Sequence, residues 1–192
     1  MILWIFLIPV FLIFFAIYFD YWGARSRKEI LSKLSDYFNG SVSSTFYSTI
    51  FNGKYQGLNF SVEPTPGARG ALPYLTISLF KSCTLNLFIY RESALSNIGE
   101  KIGLVHGVKV NDEAFDGKFL ILSKDSERAR IYLNSADIKN TIKEIFNEGF
   151  DSLVANKKSI TIRKPSYNST SDLEPQNITN VLQRLSVVMK GL

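Results

Sequence analysis

The stretch FYSTIFNGKYQGLNFSV, residues 46–62, decides which kind of fold to expect. Asn52-Gly53 lies between two runs that are rich in aromatic and β-branched residues, and this dipeptide favours the tight turn of a β-hairpin. In the second run, apolar and polar residues alternate from Leu58 to Val62, which is typical of a strand with one buried and one wet face. The stretch therefore predicts an antiparallel hairpin that turns at Asn52-Gly53.

The remaining elements follow from similar patterns on both sides of this hairpin. Further strands are predicted at residues 75–79 and 85–90 as a second hairpin, in two pieces within 108–123, and at 128–133, 153–155 and 159–163. Three amphipathic helices are predicted: over residues 24–38, from Ser135 to Gly149, and from a capping box at Ser171 and Glu174 to Met189. The expected fold class is α+β, with antiparallel β hairpins packed against amphipathic helices.

An uncharged apolar run, MILWIFLIPVFLIFFAIYF, occupies residues 1–19, and the first charged residue is Asp20. A helix of this length rises about 1.5 Å per residue and spans roughly 28 Å, close to the thickness of a bilayer core. Tyr21 and Trp22 follow, and such rings favour the headgroup layer. The run predicts a transmembrane helix at residues 1–22 that contacts the lipid bilayer, followed by one soluble domain at residues 23–192.

The residues on either side of the run indicate whether it is a cleaved signal peptide and how it is oriented in the membrane. A cleaved signal peptide would have a basic region before a shorter apolar stretch and small residues at the cleavage site, and neither is present. Arg25, Arg27 and Lys28 follow the run, so the positive-inside rule predicts an external amino terminus and a cytoplasmic domain. The expected location is the cell (inner) membrane, with a single pass, and these three residues would lie near anionic lipid headgroups.

Composition excludes several classes of protein. Cys83 is the single cysteine, so no disulfide framework can form within the chain. The 22 basic and 17 acidic residues give a net charge of +5, which raises the question of nucleic-acid binding. The basic residues are spread along the chain, however, and neither a zinc finger nor an aromatic-basic ribonucleoprotein motif accompanies them. No nucleic acid partner is expected.

The residues best suited to catalysis or metal binding are an acidic cluster and one histidine. Asp112, Glu113 and Asp116 lie within five residues, and carboxylates at such density can bind a hard cation. Their spacing is not that of an EF-hand, and Asp in turns commonly hydrogen-bonds the local backbone instead. His106, the only histidine, titrates near neutrality but has no second histidine or cysteine nearby. These four residues are the candidates, and no metal and no cofactor is expected.

The segment around this cluster resembles a pattern found in bacterial single-pass membrane proteins of unknown function. In those proteins an apolar anchor precedes a β-rich domain that contains Asp-x-x-Phe-Asp-x-x-Phe before a strand, and residues 112–119 here read DEAFDGKF. The hairpin around Gly53 and Gly57 and the amphipathic C-terminal helix are also similar, whereas Asn111 stands where the pattern has glycine. The resemblance implies an architecture and no particular activity.

Two functions remain open at this point. One His, one Cys and scattered acids do not assemble a nucleophile, a base and an oxyanion donor. This favours a non-catalytic binding or accessory domain held at the cytoplasmic membrane face, with a protein partner of unknown identity. The alternative is a membrane-bound enzyme, hydrolytic or metal-assisted, that uses Asp112, Glu113 and Asp116. An exposed apolar or aromatic patch would favour the first, and carboxylates converging in a pocket the second.

Overall fold

The computed structural model describes residues 23, 25–45, 48–67, 72–91 and 106–192. The strands are β1 (Ser41–Ser44), β2 (Thr49–Tyr55), β3 (Leu58–Thr65), β4 (Tyr74–Phe80), β5 (Leu87–Arg91), β6 (His106–Gly107), β7 (Phe119–Ser123), β8 (Ser152–Ala155) and β9 (Ser159–Pro165). The helices are α1 (residues 25–38), α2 (Glu113–Asp116), α3 (Ser126–Leu133), α4 (Ala136–Asn147) and α5 (Pro175–Val188).

All nine strands form one sheet in the order β1-β2-β3-β4-β9-β8-β5-β7-β6, and every neighbouring pair is antiparallel. The register aligns one apolar side chain from each of seven strands in a continuous row, and none of them is more than 1% exposed. These residues are Phe51, Val62, Ile77, Ile162, Leu153, Ile89 and Ile121. Because burying each such side chain contributes about 1.5–3 kcal/mol to the stability of the fold, this row is a major part of the hydrophobic core.

The helices contact the face of the sheet that bears this row, here called the helix face. Phe38 at the end of α1 packs against Phe60 with ring centroids 5.0 Å apart, and Phe146 of α4 packs against Phe119 at 4.7 Å. Val181 of α5 lines a small cavity together with Leu75 and other residues of the helix face. The opposite side is called the open face, because the contacts described between helices and strands are made on the helix face.

The hairpin between β2 and β3 differs from its prediction. The turn is at Gln56-Gly57, where both residues have positive φ (+50° and +81°), whereas Asn52-Gly53 lies inside β2. Paired positive φ values are those of the tight hairpin turn that matches strand twist. Gly53 serves a different purpose, since a Cβ there would lie 2.7 Å from the ring of Phe51.

The second predicted hairpin is wrong as well. β4 pairs with β9, and β5 pairs with β7 and β8, so the strand pair formed by β8 and β9 separates β4 from β5. The strand boundaries were visible in the local alternation, but the pairing depends on residues about eighty positions later in the chain. The predicted hairpin at residues 153–163 is confirmed by β8 and β9.

Residues 128–133, predicted as a strand, belong to helix α3. Asp125 is the N-cap, and its side chain accepts a hydrogen bond from the backbone N–H of Arg128. The buried residues Ala129, Tyr132 and Leu133 follow helical spacing, which outweighs the strand preference of the segment.

The three predicted amphipathic helices are present with small differences at their ends. α1 is followed by Asn39, which has a φ of +47°, and Gly149, with a φ of +95°, comes two residues after the end of α4. α5 begins at Pro175 with Glu174 as its N-cap, so the predicted capping box at Ser171 does not form. Proline is favoured at the first helical position because its missing N–H has no partner to lose there.

The predicted transmembrane segment, residues 1–22, lies outside the described residues. Within residues 23–192, as far as the structure describes them, no helix is both long enough and apolar enough to cross a membrane. The predicted fold class is corrected on this finding: the described fold is one nine-stranded antiparallel sheet with helices on one face, without a transmembrane helix. The predicted single-pass inner-membrane location, with its cytoplasmic domain, rested on that helix and is corrected with it.

Candidate functional site

The acidic cluster is tied into the fold by hydrogen bonds. Asp112 is the N-cap of α2, and its Oδ1 accepts from the backbone N–H of Phe115 at 3.1 Å. Its Oδ2 accepts from Lys139 Nζ at 2.7 Å. The hydrogen bond from Lys139 holds the pKa of Asp112 below its ordinary value, so the carboxyl group stays ionised. An ionised, paired carboxylate is poorly suited to act as a general acid or base near neutral pH.

The other two carboxylates do not join it in a pocket. Asp116 Oδ1 accepts from the backbone N–H of Val110 at 3.1 Å, and Glu113 is exposed. Within the described ranges, no group of three or more His, Cys, Asp and Glu side chains is placed to hold a metal ion. The roles of Asp112, Glu113 and Asp116 as site residues stay predictions, but their geometry is that of turn and cap formation.

The remaining sequence candidates lie apart from this cluster. His106 pairs through its backbone with Ser123, and its side chain is outside the described part of the protein. Arg25 and Lys28 are exposed on α1, whereas Arg27 is partly buried and near Tyr167, whose pKa is raised by burial and lowered in part by this arginine. Among the described side chains, Arg25, Arg27 and Lys28 on α1 are not brought together with the acidic cluster into one site.

Cys83 is an unpromising nucleophile in this structure. Its side chain is only 2% exposed and belongs to the hydrophobic core. Burial raises the pKa of the thiol above its ordinary value, which is only partly offset by Lys81. Because the thiolate is the reactive form, a buried cysteine of raised pKa is inert.

A cavity of about 220 Å³ lies between α5 and the helix face, and two of its charged lining residues form an ion pair with each other. Lys164 Nζ contacts Asp172 Oδ1 at 2.8 Å, and Asp172 Oδ2 also accepts from the backbone N–H of Asn168. These contacts fix the loop between β9 and α5. The charged groups of this cavity thus have structural partners.

The open face carries none of the helix–sheet contacts given above for the described residues. Its residues are the alternate positions of each strand, and over β3, β4 and β9 they are mostly small and polar: Ser61, Glu63, Thr76, Ser78, Thr161 and Arg163. Ser78 and Thr161 exchange a hydrogen bond of 2.9 Å between their hydroxyl groups. Farther along the sheet the face becomes apolar, with Phe88, Leu120 and Val154 partly exposed.

An arginine and aromatic residues stand out on this face. The guanidinium of Arg163 lies over the ring of Tyr74, 4.4 Å from its centroid. Tyr90 lies two strands away in the same cross-strand row as Arg163, with Ser152 between them. Burial raises the pKa of Tyr90, and the nearby Asp151 raises it further, so its hydroxyl stays protonated. We refer to Tyr74, Arg163 and Tyr90 as the arginine–tyrosine cluster.

The sequence contained part of the signal for this surface. The alternation from Leu58 to Val62 already predicted a wet face at Asn59 and Ser61, and this is the open face. The cluster was missed because Tyr74 and Arg163 are far apart in the chain and meet only through the pairing of β4 with β9.

Comparisons with known proteins add a likeness of fold. No protein-family model matches the sequence, and no curated protein matches it. Among solved structures, the crystal structure of the mycobacterial trehalose monomycolate transport factor A, TtfA, is similar, with a TM-score of 0.55. The two are 10% identical, and the likeness covers 86% of this chain and 95% of that chain. At this identity the likeness concerns the fold alone.

Proposed function

We propose that the protein is a non-catalytic accessory domain that binds another protein through the open face of its sheet. The observation that supports this most is the arginine–tyrosine cluster, which stands on a face of small polar residues with no described helix over it. Tyr, Phe and Arg are enriched in protein interfaces, whereas Lys, Glu and Ser are depleted, so the cluster and not the small polar residues around it supports binding. Such a surface suits docking better than chemistry.

The cluster would act as the anchor of the interface. The contact with the Tyr74 ring favours one arrangement of the Arg163 side chain, which reduces the rotamer entropy lost when a partner binds. Arginine and tyrosine are also the residue types that most often dominate the binding free energy. The short side chains of Thr76 and Ser78 beside them let a partner backbone approach the sheet closely.

The enzymatic alternative receives less support from the same structure. Asp112 and Asp116 are occupied by backbone and lysine partners, and neither lines a described cavity. Catalysis needs acids and bases that converge where a substrate can sit. A binding role needs only an accessible surface.

TtfA is named as a transport factor, and its likeness in fold supports an accessory role in a larger assembly. The partner we propose is accordingly a protein component of such an assembly. The surface that would dock this component is the open face of this chain.

The test is photo-crosslinking in cells that produce the full chain. A photoreactive amino acid replaces Thr76, which lies between Glu63 and Arg163 on the open face, and in a second strain it replaces Gln183, which is exposed on α5. We expect one discrete crosslinked product from position 76 and not from position 183. Equal products from both positions, or none from position 76, would overturn the proposal.

A substitution series shows whether the cluster anchors that product. Arg163→Ala and Tyr74→Ala should each reduce crosslinking from position 76 at least tenfold if these residues dominate the interface. Arg130→Ala, on the exposed side of α3, and Tyr37→Ala, at a tyrosine of α1 that is 55% exposed, are the matched controls and should leave it unchanged. A crosslinked product of twice the chain mass would identify a second copy as the partner and contradict an accessory role.

A further inference from the structure

A cavity of about 500 Å³ lies at one corner of the open face and opens broadly to solvent. The cross-strand row Lys54, Asn59 and Phe80 forms one side, and the row Ser41 and Asn52 lies next to it. The link between α1 and β1, including Asn39, closes the edge. We call it the asparagine cavity. Its size is within the range of about 300–1,000 Å³ typical of small-ligand sites.

Three asparagine amides point to one kind of ligand. Between described residues, no hydrogen bond involves the side chain of Asn39, Asn52 or Asn59, and all three residues are exposed. Each amide offers two N–H donors and one carbonyl acceptor. Adjacent hydroxyl groups on a sugar ring are both donors and acceptors, and they match such alternating groups. Asn52 and Asn59 are diagonal neighbours on β2 and β3, about 7–8 Å apart, a distance that one sugar ring with its hydroxyl groups can bridge.

Phe80 is the exposed aromatic residue of the cavity, which Phe60 also lines. The side chain of Phe80 is 43% exposed, although it lies within a strand next to Asn59. The face of an aromatic ring is electron-rich and attracts the slightly positive C–H groups that line one side of a pyranose. A phenylalanine exposed beside exposed amides is therefore more informative than one exposed alone.

Two glycines constrain the backbone around the cavity. Gly40 and Gly53 let the chain pass close to Phe51: a Cβ on Gly40 would lie 2.3 Å from the Asn52 carbonyl oxygen, and one on Gly53 would lie 2.7 Å from the Phe51 ring. These close contacts fix the backbone that bears the asparagines. A preformed site loses little entropy on binding.

We propose that the asparagine cavity binds a saccharide, with the three amides hydrogen-bonded to ring hydroxyl groups and Phe80 packed against the ring face. The lining contains one cation, Lys54, and three neutral amides, which favours a neutral polyhydroxylated ligand over a nucleic acid, whose backbone is bound by several cations. The polar rim argues against a purely apolar ligand. This inference does not depend on the protein-docking role of the arginine–tyrosine cluster.

The test is a titration of the isotope-labelled full chain followed by NMR, in a buffer without sugar-headed detergents. The probes are glucose, mannose, galactose, N-acetylglucosamine and trehalose, each taken into the millimolar range. We expect at least one of them to shift the side-chain amide signals of Asn39, Asn52 and Asn59 in a saturable manner. Inorganic phosphate and a short single-stranded RNA are added separately.

Variants decide whether the shifts report this cavity. Asn52→Ala and Asn59→Ala should each weaken binding about tenfold or more, and Phe80→Leu, which keeps apolar volume without the ring, should weaken it as well. Asn134→Ala, at an exposed asparagine after α3, is the matched control and should bind like the parent protein. Arg163→Ala should also bind normally, which separates this site from the docking surface.

Three results would overturn the proposal. The first is the absence of saturable shifts with every sugar while the spectrum shows a folded protein. The second is binding that survives both asparagine variants. The third is stronger and saturable binding of phosphate or RNA at the same signals, which would assign the cavity to an anion held by Lys54.

Discussion

Gly53 shows how a single hydrogen atom in place of a side chain determines local packing. A Cβ at this position would lie 2.7 Å from Phe51 and 2.9 Å from Phe60, two rings that are fully buried. Gly53→Ala should therefore destabilise the protein by about 1–3 kcal/mol, as overpacked cores do, despite the better strand preference of alanine. Denaturant unfolding measures this. Gly107→Ala, where nothing lies within 4 Å of the added Cβ, should change stability little, and equal losses in both variants would contradict the steric explanation.

Asp112 gives a prediction about pH. Its folded-state pKa lies below the ordinary value of 3.8, so its stabilising effect is complete above that value and is lost as the pH falls through the folded-state pKa. Asp112→Asn, which retains a capping oxygen but not the ion pair with Lys139, should be less stable than the parent protein at neutral pH. The difference should disappear in acid. Asp36→Asn, at an exposed position on α1, is the control. A difference that persists unchanged in acid would contradict the prediction.

At the scale of elements, one hydroxyl group joins α3 to the end of α5. The Tyr132 hydroxyl donates to the backbone carbonyl of Val188, and burial raises the pKa of this tyrosine far above its ordinary value. Tyr132→Phe keeps the ring and removes the donor, so it should cost about 0.5–1.5 kcal/mol. Amide hydrogen exchange should also become faster in the last turn of α5. Exchange that is unchanged there would show that the hydroxyl group does not hold the helix end.

The elements also show where sequence reasoning succeeds. α4, α5 and the pair β8 and β9 were predictable because their periodicity, end residues and short turn are all local in the chain. α3 was missed because its start depends on the Asp125 cap, which outweighs a run of residues with moderate strand preference. The pairing of β4 with β9 could not be predicted from the sequence, since nothing in either strand identifies its partner.

The candidate sites also differ in whether their residues are close together in the sequence or only in the folded structure. The acidic cluster was noticed because its members are close in sequence, and the structure uses two of them for local hydrogen bonds. The asparagine cavity depends on Lys54, Asn59 and Phe80, which become neighbours only when β2, β3 and β4 pair. The sequence predicts which positions of a strand are polar. It does not predict which strands pair, or in which register, and this pairing brings the polar positions together on one surface.

At the scale of the whole molecule, the question is whether nine strands unfold as one unit. The buried row places Ile77 of β4 and Ile121 of β7 in the same core, although three strands lie between them. Ile77→Ala should cost about 2–5 kcal/mol, because the residue is fully buried and a cavity would remain. If the core is cooperative, the amides of β7 can exchange only when β4 also unfolds.

Native-state hydrogen exchange on the Ile77→Ala variant tests this cooperativity. Each 1.4 kcal/mol of lost unfolding free energy corresponds to about a tenfold change in the equilibrium constant for opening. In a cooperative core, Ile77→Ala should therefore lower the protection factors of the Ile121 amide and the Leu79 amide by the same factor. Ser61→Ala, on the open face of the neighbouring strand, should leave both amides protected as in the parent protein. If protection falls in β4 and stays unchanged in β7, the sheet contains two folding units, and the boundary between them would lie at β8 and β9, where the two halves of the sheet meet.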